Sequence, residues 1–206
     1  MPRLMEDHLP STDPFEFFGI WFREVAAIDS LTFEQKNAIC LSTVGNDMRP
    51  SSRMILLNSF SSSGFNFFTH KTSTKGQQLG QNPKAAMLFY WPCLNRQIRI
   101  EGIVQELPVE EADRVWNSWP LESRIGFKSS PQSSLVSRPD MERRKEDLSK
   151  KVVEDGDDAA NRPERWIGYQ LQPRYFEFWQ GADDRLHDRI CFEKTSDSWS
   201  IYRRSP

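Results

Sequence analysis

Phe18, Trp21, Phe22 and Val25 recur three or four positions apart, which predicts one apolar stripe along a helix. Asp13-Pro14-Phe15-Glu16 opens that helix: Asp13 reads as the N-cap, Pro14 as the first helical residue and Glu16 as the return half of a capping box. From Asn37 the period changes to two. Segments 38–44, 51–57, 65–69, 85–91 and 97–107 read as strands, separated by Gly45-Asn46-Asp47, Ser61-Ser62-Ser63-Gly64 and Asn82-Pro83. A short helix is expected over 74–81, and helical patterns return over 109–118 and 121–127. Segment 139–153, with Arg143-Arg144-Lys145-Glu146-Asp147, predicts a charged helix with a solvated face. Asp155-Gly156-Asp157-Asp158 lacks the spacing and closing Glu of a calcium loop, and reads as a linker leaning to disorder up to Arg162-Pro163. Strand character resumes over 166–171, 175–179, 189–192 and 199–202. Hairpins in succession, without βαβ units, predict a mainly β fold: an antiparallel barrel with added helices. One domain over 13–206 follows a flexible leader, 1–12, because the C-terminal strands are too few to stand alone.

Composition narrows the class. The chain has 206 residues, enough for one good core, and its 14 Phe and 7 Trp predict an aromatic core or pocket. A net charge of −2 gives no global attraction for nucleic acid or an anionic membrane. No apolar run reaches the ~20 residues of a membrane span, and residues 1–11 lack the apolar stretch of a secretory signal, so a cytoplasmic protein is expected. Cys40, Cys93 and Cys191 are far apart, and read as small hydrophobes in a reducing compartment. With His8, His70 and His187 scattered as well, no metal site is expected.

The candidate chemistry lies in cations beside apolar strands. In Arg53-Met54-Ile55-Leu56-Leu57, alternation sends Arg53, Ile55 and Leu57 to one face and Met54 and Leu56 to the other. Arg53, at the strand's start, can meet an anion at the rim or form a surface salt bridge. Thr69, Ser73 and Lys75 flank a strand end and a helix start, where hydroxyls, an ammonium and free helix N–H groups together make a phosphate cradle. Gln97 offers a hydrogen bond to a ligand, while Arg99 and Glu101 can equally pair across neighbouring strands. Gln132-Ser133 suits a heteroaromatic ring or a phosphate, and equally a loop cap. The sharper signal is Trp179-Gln180-Gly181 followed by Arg185-Leu186-His187-Asp188-Arg189. Alternation puts Arg185, His187 and Arg189 on one side, where they repel unless an anion lies between them.

These segments, with Ser73-x-Lys75-Gly76, Asn82-Pro83, Phe89-Tyr90-Trp91, Asn95-Arg96-Gln97-x-Arg99-x-Glu101-Gly102 and Glu177-Phe178-Trp179-Gln180-Gly181, resemble the pyridoxamine 5'-phosphate oxidase family from about residue 13 to the end. The resemblance implies an FMN-binding split β-barrel, antiparallel and Greek-key-like, working as a homodimer with FMN at the subunit interface. It implies oxidation of pyridoxine or pyridoxamine 5'-phosphate to pyridoxal 5'-phosphate, with O2 reduced to H2O2. Carried over by position, Arg53, Met54, Ile55, Leu56, Phe68, Thr69, Thr74, Lys75, Gln97, Gln132, Ser133, Trp179 and Arg189 would contact FMN. Arg185 and His187 would hold the substrate at the site of hydride transfer, with Asn58 and Ser123 on the substrate side.

Four positions depart from the family pattern. Asn58 stands for a lysine, Thr74 for an arginine, Val115 for a tyrosine and Trp119 for an arginine. Losing a lysine and an arginine from a dianion site costs about 3–6 kcal/mol at ~1.5–3 kcal/mol per charge-assisted bond. Arg114 or Arg124 leaning in is one compensation, and Trp119 stacking on a larger, unphosphorylated aromatic substrate is another. Beside the oxidase stand two alternatives: an FMN-dependent paralogue with another substrate, and a non-catalytic binder of FMN or pyridoxal phosphate.

Overall fold

The computed structural model describes residues 3–206, and among them nine strands join in one sheet. They are β1 (Ala38–Val44), β2 (Pro50–Leu56), β3 (Ser59–Ser61), β4 (Gly64–His70), β5 (Lys84–Trp91), β6 (Arg96–Glu106), β7 (Trp166–Gln180), β8 (Asp188–Lys194) and β9 (Trp199–Arg203). The order is β2-β1-β5-β6-β7-β4-β3, with β8 and β9 continuing from β7, and every pairing is antiparallel. The sheet curls so that its edges approach: the Asn58 N–H, just past β2, donates to the Asn66 carbonyl on β4 at 2.9 Å. The result is a half-barrel with a packed inside and a more polar outside, as the expected split barrel requires.

β7 joins two segments that read as separate strands in the sequence. One edge pairs with β6 from Tyr169 to Gln180; the other pairs with β4 over its first half and with β8 over its second. Pro173 falls in the gap between β4 and β8, so its missing N–H removes no bond to either. Opposite it sits Gly102, at a register shift in β6. A Cβ there would lie 2.1 Å from the Gln172 carbonyl, so only glycine lets the two backbones approach.

The inside is plugged by α1 (Pro14–Ala26). Phe17 stacks on Phe178 at 4.1 Å between ring centroids, and Phe18 meets Phe60, Phe65 and Phe89 edge-on at 4.7–5.0 Å. Asp13 caps α1 as expected, accepting from Phe15 N–H. Glu16 does not close a capping box: it accepts from the Ser11 hydroxyl, which itself accepts from the Asp13 N–H. The box is found instead on α2 (Phe33–Asn37), between Thr32 and Gln35. That helix and β3 are too short to show a period and went unforeseen. Of the expected leader, residues 3–12 lie within the description: Leu4 is buried and its N–H donates to Asp188.

The helices α3 (Thr74–Gln81), α4 (Val109–Asn117), α5 (Leu121–Ser129) and α6 (Arg138–Asp155) lie near their expected positions. A second, smaller core joins α4 to the start of β7 through Ala112, Val115, Trp116 and Trp166, with Phe68 and Trp119 against it. No residue of α6 is buried, in keeping with its solvated charges. The stretch expected to be a disordered linker is a 3-10 turn, Asp157–Ala160. Trp116 Nε1–H holds it by donating to the Ala160 carbonyl at 2.9 Å, an anchor supplied from another helix and invisible in local composition.

Phe178 is fully buried under Phe17, so Phe178→Ala should destabilise by about 3–5 kcal/mol in urea unfolding. Val153→Ala, on an exposed turn of α6, should stay within about 0.5 kcal/mol.

Candidate active site

Arg53 lies midway along the inward face of β2, β4 ends with Thr69 and His70, and α3 starts at Thr74. These three places meet at the rim. Lys75 lies in the first turn of α3 and is only 6% exposed. Its Nζ donates to Gln132 Oε1 at 2.8 Å, Thr69 Oγ1 at 3.2 Å and Ser73 Oγ at 3.4 Å. All three acceptors are neutral. Burial, and then the charge of Arg53, push the Lys75 ammonium down to about 8. Arg53 donates to Thr43 Oγ1 at 2.7 Å, the Leu41 carbonyl at 3.2 Å and Gln78 Oε1 at 3.3 Å, again to neutral oxygens. Its guanidinium is likewise pushed down by burial. Neither cation forms a salt bridge with a carboxylate among the described residues.

The loop after α5 closes this cradle. Thr69 Oγ1 donates to Gln132 Oε1 at 2.8 Å, and the Thr74 N–H donates to Ser133 Oγ at 3.3 Å. Ser133 adopts φ of +66° to make that turn. Thus Arg53, Thr69, Thr74, Lys75, Gln132 and Ser133 come together. Two cations, two hydroxyls and a helix N-terminus, with no facing carboxylate, suit a phosphate monoester dianion.

The remaining expected residues form a second group. Gln97, Trp179 and Arg189 are cross-strand neighbours on β6, β7 and β8, in one row on the outer face. The Trp179 and His187 rings lie 5.0 Å apart. On the same outer face, Met54, Leu56 and Tyr90 are 63%, 42% and 56% exposed. Among the described residues no hydrogen bond, ion pair or ring contact joins this row to the cradle.

The alternation expected over 185–189 does not hold. β8 begins at Asp188, and Arg185 sits in a turn at φ of +63°. The Arg185 N–H donates to the Ala182 carbonyl, and His187 Nδ1 accepts the Ala182 N–H at 3.0 Å. Arg189 is satisfied within the chain: it pairs with the buried Glu177 at 2.7 Å and donates to the Ser205 carbonyl. Arg99 takes the structural option, between Glu101 and Glu177. Phe68 turns its ring onto Trp166 at 4.9 Å, away from the cradle, and Ile55 packs on the main core.

The substrate-side departures are mostly structural. Val115 is core. Trp119 packs on Trp166 at 5.1 Å and Phe127 at 4.8 Å. Arg114 is paired to Glu111 on the surface, and Arg124 to Asp157 at 3.1 Å. Ser123 is half-buried on α5, and Asn58 is exposed. The sequence reading missed Thr43, Gln78 and His70, whose roles arise from contacts between distant segments. Among the described residues no group of three or more His, Cys, Asp or Glu could hold a metal.

The Lys75 charge sets a pH test. An anion in the cradle favours the charged ammonium, so binding above about pH 8 must take up a proton. Affinity for a phosphate monoester should therefore fall as pH rises through about 8, toward tenfold per unit, and Lys75→Met should remove that limb in fluorescence titrations.

The sequence profile described as pyridoxamine 5'-phosphate oxidase matches residues 26–148, and that of the pyridoxine 5'-phosphate oxidase C-terminal dimerisation region matches 166–206. A Caenorhabditis elegans relative, provisionally named a pyridoxamine 5'-phosphate oxidase, is 57% identical over 206 residues, covering 100% of this chain and 91% of that protein. Bovine pyridoxine-5'-phosphate oxidase is 42% identical over 196 residues, covering 94% of this chain and 74% of that one. The crystal structure of Burkholderia lata PhzG in complex with tetrahydrophenazine-1-carboxylic acid superposes with a TM-score of 0.87 at 31% identity, covering 96% of this chain and 94% of that one. With matching profiles over both halves and a fold to suit, the chain belongs to the pyridoxamine 5'-phosphate oxidase family.

Proposed function

We propose that this protein is an FMN-dependent oxidase converting pyridoxine 5'-phosphate or pyridoxamine 5'-phosphate to pyridoxal 5'-phosphate, with O2 reduced to H2O2. The observation that carries the reading is the cradle of the buried Lys75 and the half-buried Arg53, two cations answered only by neutral oxygens. Such a set fits the FMN phosphate, which supplies the charge the protein withholds. FMN, when bound, supplies the hydride acceptor and passes the electrons to O2.

The protein's residues bind and orient. Arg53, Lys75, Thr69 and the Thr74 N–H hold the cofactor's phosphate, with Gln132 and Ser133 closing the loop over it. Because His187 Nδ1 accepts the Ala182 N–H, the neutral ring carries its proton on Nε2 and offers a donor to the substrate. Arg185 is exposed and has no ion-pair partner among the described residues, so its guanidinium is available for an anionic substrate group. Cradle and row are completed in a homodimer, with the flavin at the interface. The exposed Met54, Leu56 and Tyr90 on the outer face, and the dimerisation profile over 166–206, support that assembly. A cytoplasmic enzyme, with residues 13–206 as the working domain, is consistent with this chemistry.

A second reading has its own observation. Val115 and Trp119 are packed into the second core and supply no charge to a substrate phosphate. PhzG, 31% identical, holds a tricyclic carboxylic acid. An FMN-dependent enzyme for an unphosphorylated aromatic substrate is the alternative.

Anaerobic mixing of FMN-loaded protein with pyridoxine 5'-phosphate separates the two. The first reading expects the flavin absorbance to bleach and to recover when O2 is admitted. Flavin that stays oxidised at saturating substrate rejects it, and bleaching by a reduced tricyclic acid instead establishes the second. His187→Ala and Arg185→Ala should each lower kcat/KM by roughly 10- to 100-fold while leaving the FMN Kd unchanged. Tyr90→Glu, on the outer face, should shift sedimentation toward the monomer.

A further inference from the structure

His70 ends β4 beside Thr69 and is 1% exposed. Its Nδ1 accepts the backbone N–H of Gln132 at 3.2 Å. The same Gln132 presents its carboxamide oxygen to Lys75 Nζ and Thr69 Oγ1, both at 2.8 Å. One imidazole nitrogen therefore ties the irregular 130–134 loop, a segment without regular structure, to the strand that carries the cradle. We propose that His70 is a positioning residue for the cofactor site: as a neutral imidazole it latches the Gln132 loop over the phosphate cradle, and its protonation releases that latch. The proposal rests on the FMN reading of the cradle.

The accepting role fixes the tautomer. A hydrogen bond received at Nδ1 leaves the proton on Nε2, and a doubly protonated ring has no lone pair for the Gln132 N–H. The charged groups acting on the ring are Arg165, just before β7, and Lys75 on α3, both cationic. Lys71, next in the chain, points its charge outward to Glu106. Burial first, then Arg165 and Lys75, push His70 down to about 4, so the latch is closed at neutral pH. An imidazole held below its ordinary value makes the folded arrangement lose ground as pH falls from about 6.5 toward about 4, and leaves it unaffected above that window.

The test compares wild type, His70→Asn and His70→Leu. Asparagine places its Oδ1 close to the position of the imidazole Nδ1, keeping an acceptor that does not titrate. FMN Kd is read by quenching of flavin fluorescence at about pH 7.5 and about pH 3.5, on either side of the value of about 4 at which the buried imidazole takes up its proton. At the higher pH, His70→Leu should bind FMN about tenfold more weakly and His70→Asn within about twofold of wild type. The FMN phosphate takes up its own second proton near pH 6, which weakens all three proteins alike, so the readout is the difference between them. At the lower pH, wild type should lose at least about threefold more affinity than His70→Asn.

Unchanged binding by His70→Leu, or an equal acid loss in wild type and His70→Asn, overturns the latch. So does tighter acid binding by wild type, which would make His70 a phosphate-binding cation. A second readout needs no cofactor: the amide 1H–15N shift of Gln132 in the full-length chain. It should show an acid step in wild type that is absent in His70→Asn, and a missing step in wild type overturns the latch even if His70→Leu fails to fold. Wild type that shows the step but binds no FMN rejects the functional reading and keeps the latch.

Discussion

The site is organised by a lysine buried without a counter-ion. An ammonium removed from water costs several kcal/mol unless an opposite charge answers it. Lys75 receives three neutral oxygens and has another cation, Arg53, near enough to lower its affinity for protons. Such an arrangement is poor for stability and good for holding a dianion, because the repulsion between Lys75 and Arg53 is relieved only when negative charge enters. Three separate parts of the chain are brought to the same rim to build it: the middle of β2, the junction of β4 with α3, and the loop after α5.

The barrel makes that convergence possible. β7 serves as a common partner for β4 and β8, and the register shift where Pro173 faces Gly102 lets one long strand serve both halves of the sheet. α1 fills the inside with stacked phenylalanines, so the rim is held from below by a rigid core. The outer face carries the other set of functional candidates, and Glu177 buried between Arg99 and Arg189 fixes the row in which Trp179 stands.

Much of this was legible in the sequence. The strands, the helix over 74–81 and the solvated α6 follow from period and turn residues, which are local signals. The cradle was legible through Thr69, Ser73 and Lys75 because a strand end followed by a capped helix is itself a short-range pattern. What failed were inferences in which distant contacts decide. The Asp157–Ala160 turn is held by Trp116 from α4, Arg189 is claimed by Glu177 across a strand, and the 182–187 turn breaks the alternation assumed for Arg185 and His187. His70 passed as one of three scattered histidines, because its partner Gln132 lies 62 positions away.

The central claim, that the cradle exists for a phosphate, is tested most directly by thermal unfolding with FMN and with riboflavin, which lacks only that group. A ligand specific to the folded state raises Tm in proportion to the logarithm of its concentration over Kd. FMN should raise Tm by several degrees at concentrations where riboflavin has almost no effect. Equal shifts from the two would contradict the claim and leave the buried charge of Lys75 without a ligand to explain it.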